Sequence, residues 1–193
     1  PDRPVLEGWT ALAAVAAVTE RVTVGSLVTR VTIRVPALLA AMARTVGKIA
    51  AGRLVVGLGI SDSSNRDEQK AFGIPFPERA ARLRLLYETR DAVNQEAPET
   101  PIWIGGGTED LLAAAAEMDG WNYWGPVEGF APRVERLRQL AGEHVPETSW
   151  AGSYPGGEGV DRLAAEGAGH VIVAVGAGNY PKRIAQVTDH ARG

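Results

Sequence analysis

Apolar residues recur along the chain with two periods. Val5–Thr19 is rich in alanine and apolar on most helical faces, and Pro36–Ala50 repeats apolar residues at helical spacing. Pro36 is tolerated in the first turn of that second helix, and Gly52 stops it. Between the two, Arg21–Thr29 (RVTVGSLVT) is a β-rich run with Gly25 inside it. Arg53–Ile60 (RLVVGLGI) is almost continuously apolar, as expected for a strand covered on both faces. A polar loop follows, SDSSNRDEQKAFGIPFP, and then an amphipathic helix over Glu78–Val93. The alternation continues with a strand at Pro101–Ile104, a helix at Glu109–Met118, a strand at Gly120–Trp124 and a helix at Glu128–Glu143. It ends with a strand at Thr148–Ala151, a short helix at Val160–Ala165, a buried strand at His170–Val175 and a helix at Pro181–Ala191.

Six strands, at 22–29, 53–60, 101–105, 121–124, 148–151 and 170–175, thus alternate with helices. That order argues for an α/β fold with a parallel sheet, and the absence of a linker for a single domain over 1–193. Six strands suit a doubly wound sheet. A (β/α)8 barrel needs eight, in about 250 residues. The pattern leaves both open.

Composition narrows the class. The 193 residues are 45% hydrophobic and 22% charged, as in ordinary globular proteins. The net charge is -3, with no basic patch interleaved with aromatics, which disfavours nucleic acid as a partner. Cysteine is absent, so disulfides and thiolate metal sites are excluded and a reducing cytoplasm fits. His144, His170 and His190 are too scattered for a metal cluster, and His170, at the start of a strand, reads as structural. No apolar run reaches the ~18 residues of a membrane span, and PDRPVLEGW has no signal-peptide pattern.

The residues with chemical potential cluster at strand ends. In PIWIGGGTED, Gly105, Gly106, Gly107 and Thr108 stand where a strand hands over to a helix. Backbone N–H groups at a helix start attract anions, and glycine lets a phosphate come near. Glu109 and Asp110 would repel that anion unless they point away, and Thr108 as a plain N-cap is the other reading. In GLGISD, Gly57 and Gly59 permit close approach of a ring or side chain, with Ser61 and Asp62 just beyond. Asp62 is either a proton-moving acid with its pKa raised by burial or a solvated loop cap. In GWNYWG, alternation sends Trp121 and Tyr123 to one side and Asn122 and Trp124 to the other. Lys182 and Arg183 in GAGNYPKR, and the GGEG at 156–159, are weaker candidates for a phosphate site. No Ser/His/Asp set, GxxxxGK or HExxH is present, and the glycines do not form a Rossmann fingerprint.

Three segments in order, GSLVTRVTIRVPALLAAMARTVGKIAAGRLVVGLG, AFGIPFPERAARL and PIWIGGGTEDLLAAAAEMDGWNYWG, resemble the bacterial luciferase-like monooxygenase superfamily, and within it the deazaflavin (F420)-dependent oxidoreductases. The resemblance implies a (β/α)8 TIM-like barrel that this chain enters after the second strand, so that first two strands and some loops are lacking. It implies redox chemistry with F420 and a small organic substrate, with an FMN-dependent monooxygenase and a non-catalytic barrel as alternatives. It places Ser26, Leu27 and Thr29 on a bulged strand against the cofactor ring, with a cis peptide at Ser26–Leu27. It puts an acid such as Asp62 near the reactive carbon of some members. Gly57, Gly59 and Ser61 fall beside the ring, and Gly105–Thr108, Trp124 and Gly125 beside the phosphate-bearing tail. Family members frequently dimerise, and ALAAVAAV and ALLAAMA are apolar enough to pack helix on helix.

Overall fold

The N-terminal helix starts at an acid. In the computed structural model, which describes residues 6–175 and 184–185, Glu7 caps α1 (Gly8–Val18) by accepting from the amides of Trp9 (3.1 Å) and Thr10 (2.8 Å). Arg53 closes the other end, donating to the carbonyls of Ala16 (3.0 Å) and Thr19 (2.8 Å) that the helix leaves over, and to the Val22 carbonyl (2.8 Å) in the segment that follows. This segment and everything to Trp103 form one compact unit; Ile104 onward forms a second.

In the first unit, β1 (Val24–Arg30) lies parallel to β2 (Leu54–Gly59), with α2 (Pro36–Ala50) between them in sequence. Leu39, Ala40, Ala43, Val46 and Ala50 of α2 are buried, the stripe expected of a 3.6-residue period. Ala51 and Gly52 end α2 in left-handed conformations. α4 (Arg79–Glu96) packs on α2 and buries Leu86, Thr89 and Val93. The polar stretch expected as loop contains a short 3-10 turn (Ser63–Asn65) and a helix, α3 (Arg66–Ala71). It has no apolar period to announce it. Its anchor is a polar residue, Gln69, fully buried and accepting from the Thr32 hydroxyl at 2.8 Å.

β3 (Ile102–Gly105) leads into the second unit, with α5 (Glu109–Ala115), β4 (Gly120–Trp124), α6 (Phe130–Ala141), β5 (Glu147–Gly152), α7 (Gly157–Ala165) and β6 (His170–Val173). The β4–β5 and β5–β6 pairs are parallel. Trp121 stacks on Tyr123 (5.8 Å) and on Phe130 of α6 (5.7 Å), fixing which face of β4 meets the helices. On the other face Asn122 donates to Ser149 at 2.8 Å, both buried. β6, expected to be buried, is exposed at His170 and half-buried over the next three residues. Among the described residues its one paired neighbour is β5.

The strands hydrogen-bond in chain order, β1-β2-β3-β4-β5-β6. A doubly wound sheet reverses its order at a switch point. No reversal occurs here, so the doubly wound alternative is wrong. The expected helix at Pro181–Ala191 falls almost wholly outside the described residues. No described helix is long and apolar enough to cross a membrane.

Candidate functional site

In the first unit the candidate residues gather on the bulge of β1. Ser26 faces Val56 and Thr29 faces Leu58, so Leu27 and Val28 together oppose the single residue Gly57. The non-proline cis peptide lies within this bulge, at Leu27–Val28. The expectation of Ser26–Leu27 is corrected by one residue: Ser26 is still in register with β2, and the irregularity begins after it.

The bulge explains the glycines of β2. A Cβ at Gly57 would fall well inside the envelope of the Ser26 carbonyl oxygen, and 2.9 Å from Leu27 Cδ2. A Cβ at Gly59 would collide with the Val28 side chain. The close approach read from GLGISD is therefore made by the protein's own strand.

A cavity of about 300 Å³ opens beside the bulge, bordered by Trp9, Leu12, Ser26, Val28, Thr29 and Ile33. Arg30 and Arg34 also border it, and each is ion-paired, with Glu68 and Glu7 respectively. Thr29 is buried and Ser26 half-buried. The Trp9 indole donates to Thr29 Oγ1 at 2.9 Å, a contact that sequence inspection missed because it joins a helix start to a strand end.

Ser61 and Asp62 follow β2. Ser61 has a left-handed backbone (φ 64) and its hydroxyl shares a 2.9 Å hydrogen bond with Thr32. Asp62 is exposed and caps the 3-10 turn, accepting from the Ser64 amide at 2.8 Å and from the Ser64 hydroxyl. The Asn65 side chain returns the bond to the Asp62 amide at 3.2 Å. The Ser64 hydroxyl, then its amide, hold the Asp62 carboxyl below its usual range, against the opposing effect of desolvation. The hydrogen bonds outweigh burial and the net shift is downward, so the premise of an acid raised by burial at this position is corrected.

In the second unit, Gly106 has φ 129 and its amide donates to the Asn122 carbonyl at 3.1 Å. A Cβ there would lie 2.5 Å from Leu111 Cδ1, and one at Gly107 would lie 2.5 Å from Arg133 Nε. Two of the loop carbonyls are also taken: Trp121 Nε1 donates to Gly106 at 2.6 Å and Arg133 Nε to Gly107 at 3.1 Å. The bare positions of PIWIGGGTED thus first serve to fit the loop under its own neighbours.

Thr108 occupies the N-cap position, but its hydroxyl donates to Asp110 at 2.7 Å. Asp110 also accepts from the Leu111 amide at 3.0 Å. Glu109 turns to Arg136, whose hydrogen bond is the main force holding that carboxyl below its usual range. Trp124 is 65% exposed, and the Gly125 carbonyl accepts from Trp150 Nε1 at 2.9 Å. The cation beside the glycine loop is Arg133, which also donates through Nη1 to Gly129 at 2.8 Å. Nothing local marks it in the sequence, because its partner Gly107 is 26 residues away. Lys182 and Arg183 lie outside the described residues.

The sequence profile of luciferase-like monooxygenases matches residues 1–93. The uncharacterized protein Rv0940c of Mycobacterium tuberculosis is 30% identical over 198 residues, spanning 89% of this chain and 68% of its own length. The chain belongs to the luciferase-like monooxygenase family. An F420-dependent glucose-6-phosphate dehydrogenase of Intrasporangium calvum is 34% identical over 144 residues, 61% of this chain and 42% of that protein.

Among solved structures, the F420-dependent tetrahydromethanopterin reductase of Methanopyrus kandleri superposes with a TM-score of 0.66 at 17% identity, over 77% of this chain and 55% of that one. The oxygenating constituent of 3,6-diketocamphane monooxygenase from Pseudomonas putida, solved with FMN, gives 0.62 at 14% identity, over 83% of this chain and 57% of that one. These two likenesses establish the fold. This luciferase-like chain spans about two thirds of its mycobacterial relative and about half of each of these structures.

Proposed function

We propose that the protein is an F420-dependent oxidoreductase, cytoplasmic, built on a closed (β/α)8 barrel of which this chain supplies six strands. The carrying observation is that three relatives whose names state a cofactor, at 34%, 37% and 32% identity, are F420-dependent dehydrogenases. The bound deazaflavin supplies the hydride chemistry, exchanged with a small organic substrate.

The chain's own residues bind and orient. Ser26, Leu27 and Thr29 on the bulge, with Gly57, Gly59 and Ser61, are the proposed ring-binding set. The cavity at the bulge, about 300 Å³, is at the lower end of small-molecule sites, and its wall combines the apolar side chains of Trp9, Leu12, Val28 and Ile33 with the hydroxyls of Ser26 and Thr29, which suits a flat heterocycle with polar edges. Gly105, Gly106, Gly107, Thr108, Trp124 and Gly125 are the proposed set for the anionic tail, with Arg133 as its cation. A second copy of the chain is the proposed protein partner.

A second reading, an FMN-dependent monooxygenase, is favoured by one observation. Arg133 beside Gly107 would suit a compact phosphomonoester. Titration of the intact protein with F420 and with FMN, followed by cofactor fluorescence, separates the two. Tighter binding of F420 supports the first reading, tighter binding of FMN supports the second, and binding of neither by folded protein removes both.

A further inference from the structure

The indole N–H of Trp9 can only donate, and the carbonyl oxygen of Gly57 can only accept. Two hydroxyls lie between them, each with one proton. Trp9 Nε1 donates to Thr29 Oγ1 at 2.9 Å, Thr29 Oγ1 to Ser26 Oγ at 2.8 Å, and Ser26 Oγ to the Gly57 carbonyl at 3.2 Å. All three bonds coexist only when the protons run in this direction. Were Ser26 to donate back to Thr29, the Gly57 carbonyl would lose its hydroxyl partner. Both hydroxyl protons are therefore engaged inside the protein. What each oxygen retains is an acceptor lone pair, and both residues border the same cavity of about 300 Å³. The two cations at that cavity, Arg30 and Arg34, are paired with Glu68 and Glu7.

We propose that Trp9 is a positioning residue: by fixing the direction of the relay it makes the hydroxyl wall of this cavity an acceptor, which selects a ligand N–H or O–H. The inference rests on the flavin-type reading given under Proposed function. In an oxidised isoalloxazine ring the imide nitrogen is the only ring atom that carries a proton on nitrogen or oxygen, and a deazaflavin ring keeps the same imide, so the imide N–H common to both rings is the group assigned to this wall. A carbonyl or phosphate oxygen in the same place would meet lone pair with lone pair. Trp9 also borders the cavity, but in this role its indole N–H acts through Thr29.

The test uses the intact protein with lumiflavin and 3-methyllumiflavin, rings without a phosphate tail that differ only at the imide nitrogen. Dissociation constants come from flavin fluorescence. The wild type is expected to prefer lumiflavin by about fivefold, the size of one net hydrogen bond. Trp9→Phe keeps an aromatic ring without the N–H, and Thr29→Val keeps the shape without the hydroxyl. Both are expected to bring the preference below about twofold, and Thr29→Ser to restore it. The preference is a ratio within each variant, so a merely destabilised protein does not move it. No preference in the wild type, or an undiminished one in Trp9→Phe, overturns the inference. If FMN or F420 binds while the methylated ring is not disfavoured, the relay alone falls. If folded wild type binds none of these compounds, the flavin reading falls and takes the inference with it.

Discussion

The guanidinium of Arg133 lies over the ring of Tyr123, its carbon 4.7 Å from the ring centroid. The same group donates to the carbonyls of Gly107 and Gly129, so one side chain ties together the loop after β3, the aromatic face of β4 and the start of α6. Arginine suits this because its planar fork can stack and donate at once.

Arg133→Met keeps much of the stem and removes the charge and both donors. The expected loss is about 2 kcal/mol, from charge-assisted bonds in a half-buried place. Arg133→Lys is expected to recover less than half of it, because an ammonium cannot reach two carbonyls and stack. Urea denaturation followed by tryptophan fluorescence gives both numbers. Equal stability of the wild type and the Met variant would show that the three elements hold together without this contact.

Gly57 is a sharper case, because backbone is the obstacle. A methyl group there meets the Ser26 carbonyl oxygen, which the bulge of β1 fixes in place. Gly57→Ala is expected to destabilise by about 1–3 kcal/mol or more, as overpacking does. Gly8→Ala is the control: a Cβ at Gly8 has nothing within 4 Å, and alanine favours the helix it begins. A thermal melt in which both variants behave alike would show that the bulge can shift aside.

Much of this was legible in the chain, and the gaps have physical causes. α2 was readable to the residue, because an amphipathic stripe, a first-turn proline and a glycine stop agree. α3 was not, because Gln69 anchors it through a polar contact that leaves no apolar period. β6 misled because an apolar run reports a preference for burial and not the neighbour that provides it. At the candidate site, the glycine positions were found but their first use was not. Gly57 answers to Ser26, 31 residues before it, and Gly107 to Arg133, 26 residues after it. Trp9 was hidden for the same reason, since its partner Thr29 lies beyond a turn and most of a strand.

Glu7 makes the start of α1 sensitive to acid. Partial burial works against its ionisation, but the amides of Thr10 and Trp9, the Thr10 hydroxyl and Arg34 outweigh it and bring the carboxyl from 4.5 to about 2. A carboxyl with a lowered folded pKa contributes its full stabilisation above its unfolded value and loses it as pH falls through the folded one. The window here runs from about 4.5 down to about 2. Glu7→Gln keeps an oxygen for the amides but has no charge to lose. The carboxylate is about half exposed, so solvent screens it, and the melting temperatures of wild type and variant should differ by only about 2 °C at pH 6. That gap should close as pH falls across the window, while acid unfolding driven by other carboxylates affects both proteins. A gap of constant size from pH 6 to pH 2 would show that the ionised cap contributes nothing to the difference.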